Sequence, residues 1–296
     1  MEGLILKGIG GFYYVKTERG VIECRARGRF RKDNIKPAAG DRAEIEIQDD
    51  GTGYVLEILP RRNHMIRPPL ANVDRMFIVA AAARPEPNLL FVDKIAAICE
   101  LKGIEPVIVI NKTDLNPASP LPGIYRNAGF ETIALSAERD DVKAMFAPYI
   151  KNGVSAFTGA SGVGKSSIIN RLGLGASFEV GGVSDRIERG RHTTRHVELI
   201  EAYGGYVAET PGFSSYDIER LSIIDKEELC RGFRDFIPYI DDCRFTGCSH
   251  TKEKGCAVRE ALSQGKIEKT RHQSYCALYE QIKDIKPWEI SESKRM

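Results

Sequence analysis

The sequence predicts three folded segments in series: an all-β barrel over residues 1–65, an α/β phosphate-loop domain over 66–220, and a small, mainly α, metal-binding domain over 221–296. Three observations carry that division. Short alternating runs such as Glu44-Ile45-Glu46-Ile47, set between turns at Gly40-Asp41 and Asp50-Gly51, mark the barrel. Apolar strand-like runs alternating with helical runs mark a mainly parallel sheet with crossover helices. Cysteines and a histidine at metal-ligand spacing mark the last segment.

In the barrel, Arg25, Arg27, Arg29 and Arg31 recur at every second residue, with Phe12 and Phe30 nearby. On a strand these four share one face. A merely solvated face mixes signs, whereas only Asp33 interrupts this cationic run, which extends to Lys36. A phosphate backbone rewards such a stripe, so the barrel is expected to contact RNA. The overall charge of +2 conceals this local asymmetry. Residues 63–69 read as a linker stiffened by Pro68-Pro69.

The central domain opens on a buried strand at 75–80, then a helix from Leu89 to Lys102 that stops at Gly103. After a strand at 106–110 comes Asn111-Lys112-Thr113-Asp114, the form of a guanine-reading loop. The Asp114 carboxylate can accept from both the N1–H and the exocyclic amine of guanine. Adenine offers no such pair and would leave the carboxylate unsatisfied. Asn111 would contact the purine edge, and the stem of Lys112 would cover the ring. Ser136-Ala137, after a strand at 131–135, fits the loop that closes over the base.

A second loop, Gly159-Ala160-Ser161-Gly162-Val163-Gly164-Lys165-Ser166, has the G-x-x-x-x-G-K-S form that holds phosphates. Its glycines let successive backbone N–H groups converge on phosphate oxygens. Lys165 is expected to neutralise the β- and γ-phosphates and the Ser166 hydroxyl to ligate Mg²⁺, with Ser167 beside it. A strand at 153–158 precedes the loop and a helix at 165–172 follows, as a phosphate loop requires. In an ordinary GTPase the phosphate loop comes before the base reader. Here the order is reversed, and the sequence reads as a circularly permuted GTPase.

The switch segments follow. Thr193 or Thr194 is the candidate to reach Mg²⁺ and the γ-phosphate, Thr194 foremost. Glu209-Thr210-Pro211-Gly212 stands at the D-x-x-G position, with Glu one methylene longer than the usual Asp. Phe213 follows Gly212 and cannot orient the attacking water, so His192 is the candidate for that task. His196 is a weaker one. Between the switches, 196–202 and 205–210 read as a hairpin turning at Gly204-Gly205.

From Ser222 the pattern is helical, is broken by a Cys-rich loop, and resumes near Val258. The break holds Cys243, Cys248, His250 and Cys256, spaced C-x₄-C-x-H-x₅-C. Three thiolates and an imidazole make a closed tetrahedral zinc site with no open position for catalysis. Cys24, Cys99, Cys230 and Cys276 show no pairing pattern, which suits a reducing compartment.

Together these motifs resemble the RsgA family of circularly permuted GTPases that depend on the small ribosomal subunit. The resemblance spans nearly the whole chain, including Arg27-Gly28-Arg29-Phe30-Arg31 and Arg271-His272-Gln273-Ser274-Tyr275. It implies an N-terminal OB-fold, a central GTPase domain, a C-terminal zinc domain, and a role in late maturation of the small subunit. Glu209 and Arg195, where a third Thr is common, depart from the family pattern.

No apolar run approaches transmembrane length and the N-terminus lacks a signal-peptide pattern. A cytoplasmic monomer with no membrane contact is the expectation. Permutation attaches whatever follows Phe213 directly to the second switch, so GTP is expected to control how the domains are arranged. Two other classes bear comparison. A nucleotide-gated RNA-binding module with negligible hydrolysis is suggested by Phe213 and Glu209. A P-loop kinase or ATPase is opposed by Asn111 and Asp114.

Overall fold

A computed structural model describes the protein over residues 1–26, 36–65, 69–174, 197–209 and 224–285. The chain divides into two compact units, one from Met1–Arg75, Lys143–Phe157 and Ile169–Phe213, the other from Met76–Val142, Thr158–Ile168 and Ser214–Met296.

The first unit holds a five-stranded barrel: β1 (Glu2–Ile9), β2 (Phe12–Thr17), β3 (Gly20–Ala26), β4 (Arg42–Ile47) and β5 (Gly53–Ile58). β1–β2, β2–β3 and β4–β5 pair antiparallel, β3 and β5 pair parallel, and β1 returns to β4 to close the ring. The period-2 pattern turns Ile5, Val15, Cys24, Ala43, Ile45 and Val55 inward to form the core. Below it, Asp41 is fully buried and accepts from Arg61 Nε at 2.7 Å.

The expected linker is folded on both sides of residues 66–68. β6 (His64–Met65) pairs with β7 (Leu70–Ala71) because the Asn63 amide brackets Val73, donating to its carbonyl at 2.8 Å and accepting its N–H at 2.9 Å. The expected hairpin is present as β12 (Glu198–Ala202) and β13 (Gly205–Glu209). β11 (Val154–Gly159) runs parallel to β13. β12 lies against the barrel edge at Lys7↔Glu198, where Lys7 Nζ meets Glu198 at 2.8 Å; Lys16 meets Glu201 at 3.1 Å.

In the second unit β8 (Arg75–Ala81), β9 (Glu105–Asn111) and β10 (Glu131–Ala134) lie side by side in the order β10-β9-β8, with β9 and β10 parallel. Their near-continuous apolar runs are those of strands covered on both faces. Helix α1 (Leu89–Leu101) begins where the Asn88 side chain accepts the N–H of Phe91, relieving an orphan donor. Three further helices are α2 (Leu121–Asn127), α3 (Val142–Ile150, begun in this unit) and α4 (Lys165–Arg171).

C-terminal α5 (Ala257–Ser263) and α6 (Lys269–Ile282) are helical as expected, but Leu229–Gly232 and Ile237–Asp242 form tighter 3-10 turns. The reasons are local. Gly232 approaches α1 so closely that a Cβ would fall 2.9 Å from the Ala97 carbonyl, and Pro238 removes a backbone donor. Phe233, Phe236, Tyr275 and Leu278 bury with Ala97 in one core.

Through that core runs Arg271, only 1 % exposed. It donates to Asp93 on α1 at 2.7 Å and to Asp235 at 2.8 Å, between the rings of Phe130 and Phe233. Burial opposes its charge, and the two carboxylates outweigh that and raise its pKa. Arg234 adds a rim contact, reaching Glu100 at 2.5 Å and the Gly129 carbonyl at 2.9 Å. Removing one partner from a buried ion group strands the rest without compensation. Arg271→Ala is therefore expected to lower stability in urea denaturation by about 3–5 kcal/mol. A loss below about 1 kcal/mol, the size of a surface pair, would contradict this.

Candidate functional site

Asn111 ends β9 and is 2 % exposed. Its Nδ2 donates to the Val163 carbonyl at 2.9 Å, and its Oδ1 accepts the N–H of Ala137 at 3.0 Å. One amide therefore ties the base reader to both the base-closing loop and the phosphate loop. Gly164, at φ +99°, makes this possible: a Cβ there would fall 2.2 Å from Asn111 Nδ2.

Lys112 takes a left-handed turn at φ +62° and sends Nζ to the carbonyls of Gly162 at 2.7 Å and Arg84 at 2.8 Å. It thus braces the phosphate loop. Ser136 and Ala137 are buried at 3 % and 5 % exposure. Their loop is closed by Asp140, which accepts the Ser136 N–H at 2.7 Å and returns its own N–H to the Ser136 carbonyl at 2.9 Å. Asp114 is partly exposed and lines a cavity of about 560 Å³ with Asn116, Arg126, Ser136 and Arg139.

At the other end, Gly159, Ala160, Ser161, Gly162, Val163 and Gly164 form the phosphate loop between β11 and α4. A Cβ on Gly159 would meet the Val79 carbonyl at 2.3 Å. Lys165 Nζ lies inside the loop, donating to the carbonyls of Gly159 at 2.6 Å and Ala160 at 2.8 Å. Burial pulls its pKa down to about 8. Ser166 and Ser167 are exposed at the start of α4. Glu209 is the last residue of β13. His192, Thr193, Thr194 and Gly212 lie outside the described residues, as do Arg27, Arg29 and Arg31.

The metal ligands converge. The donor atoms of Cys243, Cys248, His250 and Cys256 all lie within 4.8 Å of one another. His250 Nδ1 is 3.5 Å from Cys243 Sγ and 3.6 Å from Cys256 Sγ, and those two sulfurs are 3.9 Å apart. A tetrahedron with Zn–S of about 2.3 Å and Zn–N of about 2.0 Å has edges near these lengths, so the set fits zinc. Burial pushes the Cys248 thiol up to about 12, a cost that a divalent cation offsets by binding the thiolate.

Sequence reading missed what holds that loop. Burial would raise the Glu253 carboxyl, but hydrogen bonds from Ser249 and from backbone N–H groups override it and hold it at about 2. His272 Nε2 meets the His250 carbonyl at 2.9 Å, and Tyr275 Oη donates to that of Ser249 at 2.9 Å. Glu253, between His250 and Cys256, was the available local signal, whereas His272 and Tyr275 come from α6 and give none at that spacing. Asp140, four residues after Ser136, was missed in the same way. No two of the seven cysteines form a disulfide, and no helix among the described residues is long and apolar enough to cross a membrane.

A guanine-type loop joined through one amide to a phosphate loop that follows it in the chain defines a circularly permuted P-loop GTPase. The RsgA GTPase family profile matches residues 58–219, and the RsgA N-terminal domain profile matches residues 2–55. The chain is 46% identical over 288 residues to the small ribosomal subunit biogenesis GTPase RsgA of Caldanaerobacter subterraneus subsp. tengcongensis, covering 96% of each chain. It is 44% identical to the protein of that name from Ruminiclostridium cellulolyticum, covering 99% of this chain and 98% of the other. The crystal structure of YloQ, a circularly permuted GTPase, superposes with a TM-score of 0.80 at 37% identity, over 97% of this chain and 96% of that one. YjeQ from Thermotoga maritima gives 0.80 at 29% identity, over 96% and 99%. This chain belongs to the RsgA GTPase family.

Two outcomes are expected. With a pKa of about 8 in the free protein, Lys165 is charged below that pH and loses its proton above it. Phosphates favour the charged form, so binding must restore the proton, and affinity falls as pH rises. Titration calorimetry should show GDP binding about tenfold weaker at pH 9 than at pH 7; a flat profile would overturn the assignment. For the metal, protein purified without chelator should hold one zinc per chain. Cys248→Ala should lose most of it, about 10-fold or more in affinity, while GDP binding persists. Absence of zinc by elemental analysis would sink the site.

Proposed function

We propose that this protein hydrolyses GTP while acting in late maturation of the small (30S) ribosomal subunit, with domains at 1–65, 66–220 and 221–296. The barrel and the zinc domain bind rRNA, and the bound nucleotide controls their arrangement. The protein acts in the cytoplasm as a monomer, without membrane contact. The observation that carries the reading is the Asn111 amide joining base reader and phosphate loop. It occurs in a chain whose full-length relatives are named for small-subunit biogenesis.

Asn111, Lys112, Asp114, Ser136 and Ala137 hold guanine, and the loop from Gly159 to Ser167 holds the phosphates. Ser166 and Thr194 hold Mg²⁺, which supplies charge neutralisation at the phosphates. Thr193, Glu209 and Gly212 report the γ-phosphate. Lys165 neutralises charge that develops on the transferring group, and neutral His192 accepts a hydrogen bond from the attacking water.

The test is GTP turnover measured alone, with small subunits, with large subunits and with free rRNA. Small subunits should accelerate it, by about tenfold or more, and large subunits should not. His192→Ala should keep GTP affinity and subunit binding yet lose most of the stimulated rate. Full stimulated turnover would remove His192 from the mechanism, and loss of subunit binding would reassign it to RNA contact. No stimulation in the unaltered protein would favour a nucleotide-gated binding module instead.

A further inference from the structure

The outer face of the barrel carries a row of side chains that neither the nucleotide site nor the metal loop uses. Strand register sets Ile9 opposite Phe12, Phe12 opposite Arg25, and Arg25 opposite Tyr54. Directly opposed residues on paired strands point to the same face. Their chain neighbours Cys24 and Val55 are fully buried in the core, so this row faces outward. Ile9 is 41% exposed and Tyr54 37%, and Arg25 is also exposed.

The row has a definite internal geometry. The Arg25 guanidinium lies over the Phe12 ring, 4.7 Å from its centroid. Tyr54 stands on the strand beyond Arg25, so the two aromatic residues are two strand spacings apart, about 10 Å. That separation accommodates two bases, one against Tyr54 and one against the Arg25 guanidinium that caps the Phe12 ring, with the guanidinium edge toward the linking phosphate. The row ends at Glu46, opposite Tyr54 on β4, and the next row inward reaches Glu23, opposite Tyr14. Both carboxylates repel phosphate and so bound the site to the ends of β2, β3 and β5.

We infer that Phe12, Arg25 and Tyr54 form a platform for two unpaired RNA bases. The inference rests on the reading that the barrel binds RNA, and it specifies the chemical class: single-stranded, not duplex. Duplex RNA keeps its bases stacked within the helix and is recognised mainly by shape and backbone, whereas unpaired bases stack on exposed aromatic rings. Charge agrees with this occupant. Arg25 places an exposed guanidinium in the middle of the row, where a linking phosphate would pass. A protein partner would leave Arg25 needing an acidic group in place of phosphate.

The experiment uses the full-length protein and two probes: an unstructured 12-nucleotide RNA and a perfectly paired RNA duplex of equal length. Fluorescence anisotropy is followed across a salt series. The platform predicts tighter binding to the single strand. Phe12→Ala and Tyr54→Ala should each weaken that binding about tenfold without changing its salt dependence, as loss of stacking does. Arg25→Ala should weaken it and also flatten the slope of log K against log salt by about 0.7–1, as loss of one phosphate contact does. Tyr54→Phe should retain affinity, and intrinsic GTP turnover should stay unchanged in every variant. Should Phe12→Ala fail to fold, the Tyr54 pair of variants still decides.

Single-strand binding that survives both alanine variants would overturn the platform, as would equal binding to the duplex. If the unaltered protein binds neither RNA, the failure lies with the barrel as an RNA-binding domain.

Discussion

The nucleotide site depends on the side-chain amide of Asn111. With its donor on the Val163 carbonyl and its acceptor taking the Ala137 N–H, it fixes the Asn111–Asp114 loop against both the phosphate loop and the Ser136-Ala137 loop. The amide is buried, so leaving either half unpaired carries the full desolvation cost of a polar group. That constraint explains the residues around it. Gly164 has no Cβ to displace the amide, Lys112 holds the outer turn of the phosphate loop, and Asp140 keeps the Ala137 segment in reach. Inside the phosphate loop, Lys165 Nζ donates to the Gly159 and Ala160 carbonyls.

Permutation also distributes these elements between the two compact units. The base reader and the phosphate loop belong to one unit, together with the metal loop. The hairpin β12–β13 belongs to the unit that contains the barrel and pairs with its edge. The Lys7–Glu198 and Lys16–Glu201 pairs are partly exposed and each contributes little by itself. Strand pairing sets the register and the ion pairs accompany it. The barrel is thus built onto the hairpin through main-chain bonds.

Much of this was legible in the sequence because the signals are local. The phosphate loop, the Asn111–Asp114 turn and the C-x₄-C-x-H-x₅-C cluster each require particular residue types at fixed spacing, and the structure brings the members of each together. Helix α1 was readable from Leu89 through Gly103 for the same reason. What could not be read depends on distance along the chain. Asp93 and Arg271 are 178 residues apart, and each looks like an ordinary solvated position on a helix. The linker reading failed at Asn63, whose bracket on Val73 is a tertiary choice. The 3-10 turns replaced α-helix where Gly232 had to approach Ala97, a demand made by the partner helix.

The Arg271 contacts also bear on where one domain stops and another starts. Motifs place a boundary near residue 220, but the face of α1 beside Ala97 is covered by Phe233, Phe236 and Tyr275, all from beyond it. A fragment ending at that boundary would expose an apolar helix face and leave the Asp93 carboxylate without its cation. Exposed apolar surface of that kind drives self-association. The GTP-binding portion is therefore a unit of chemistry without being a unit of solubility. The chain past residue 220 supplies the surface that keeps α1 covered, as well as the ligands of the metal loop.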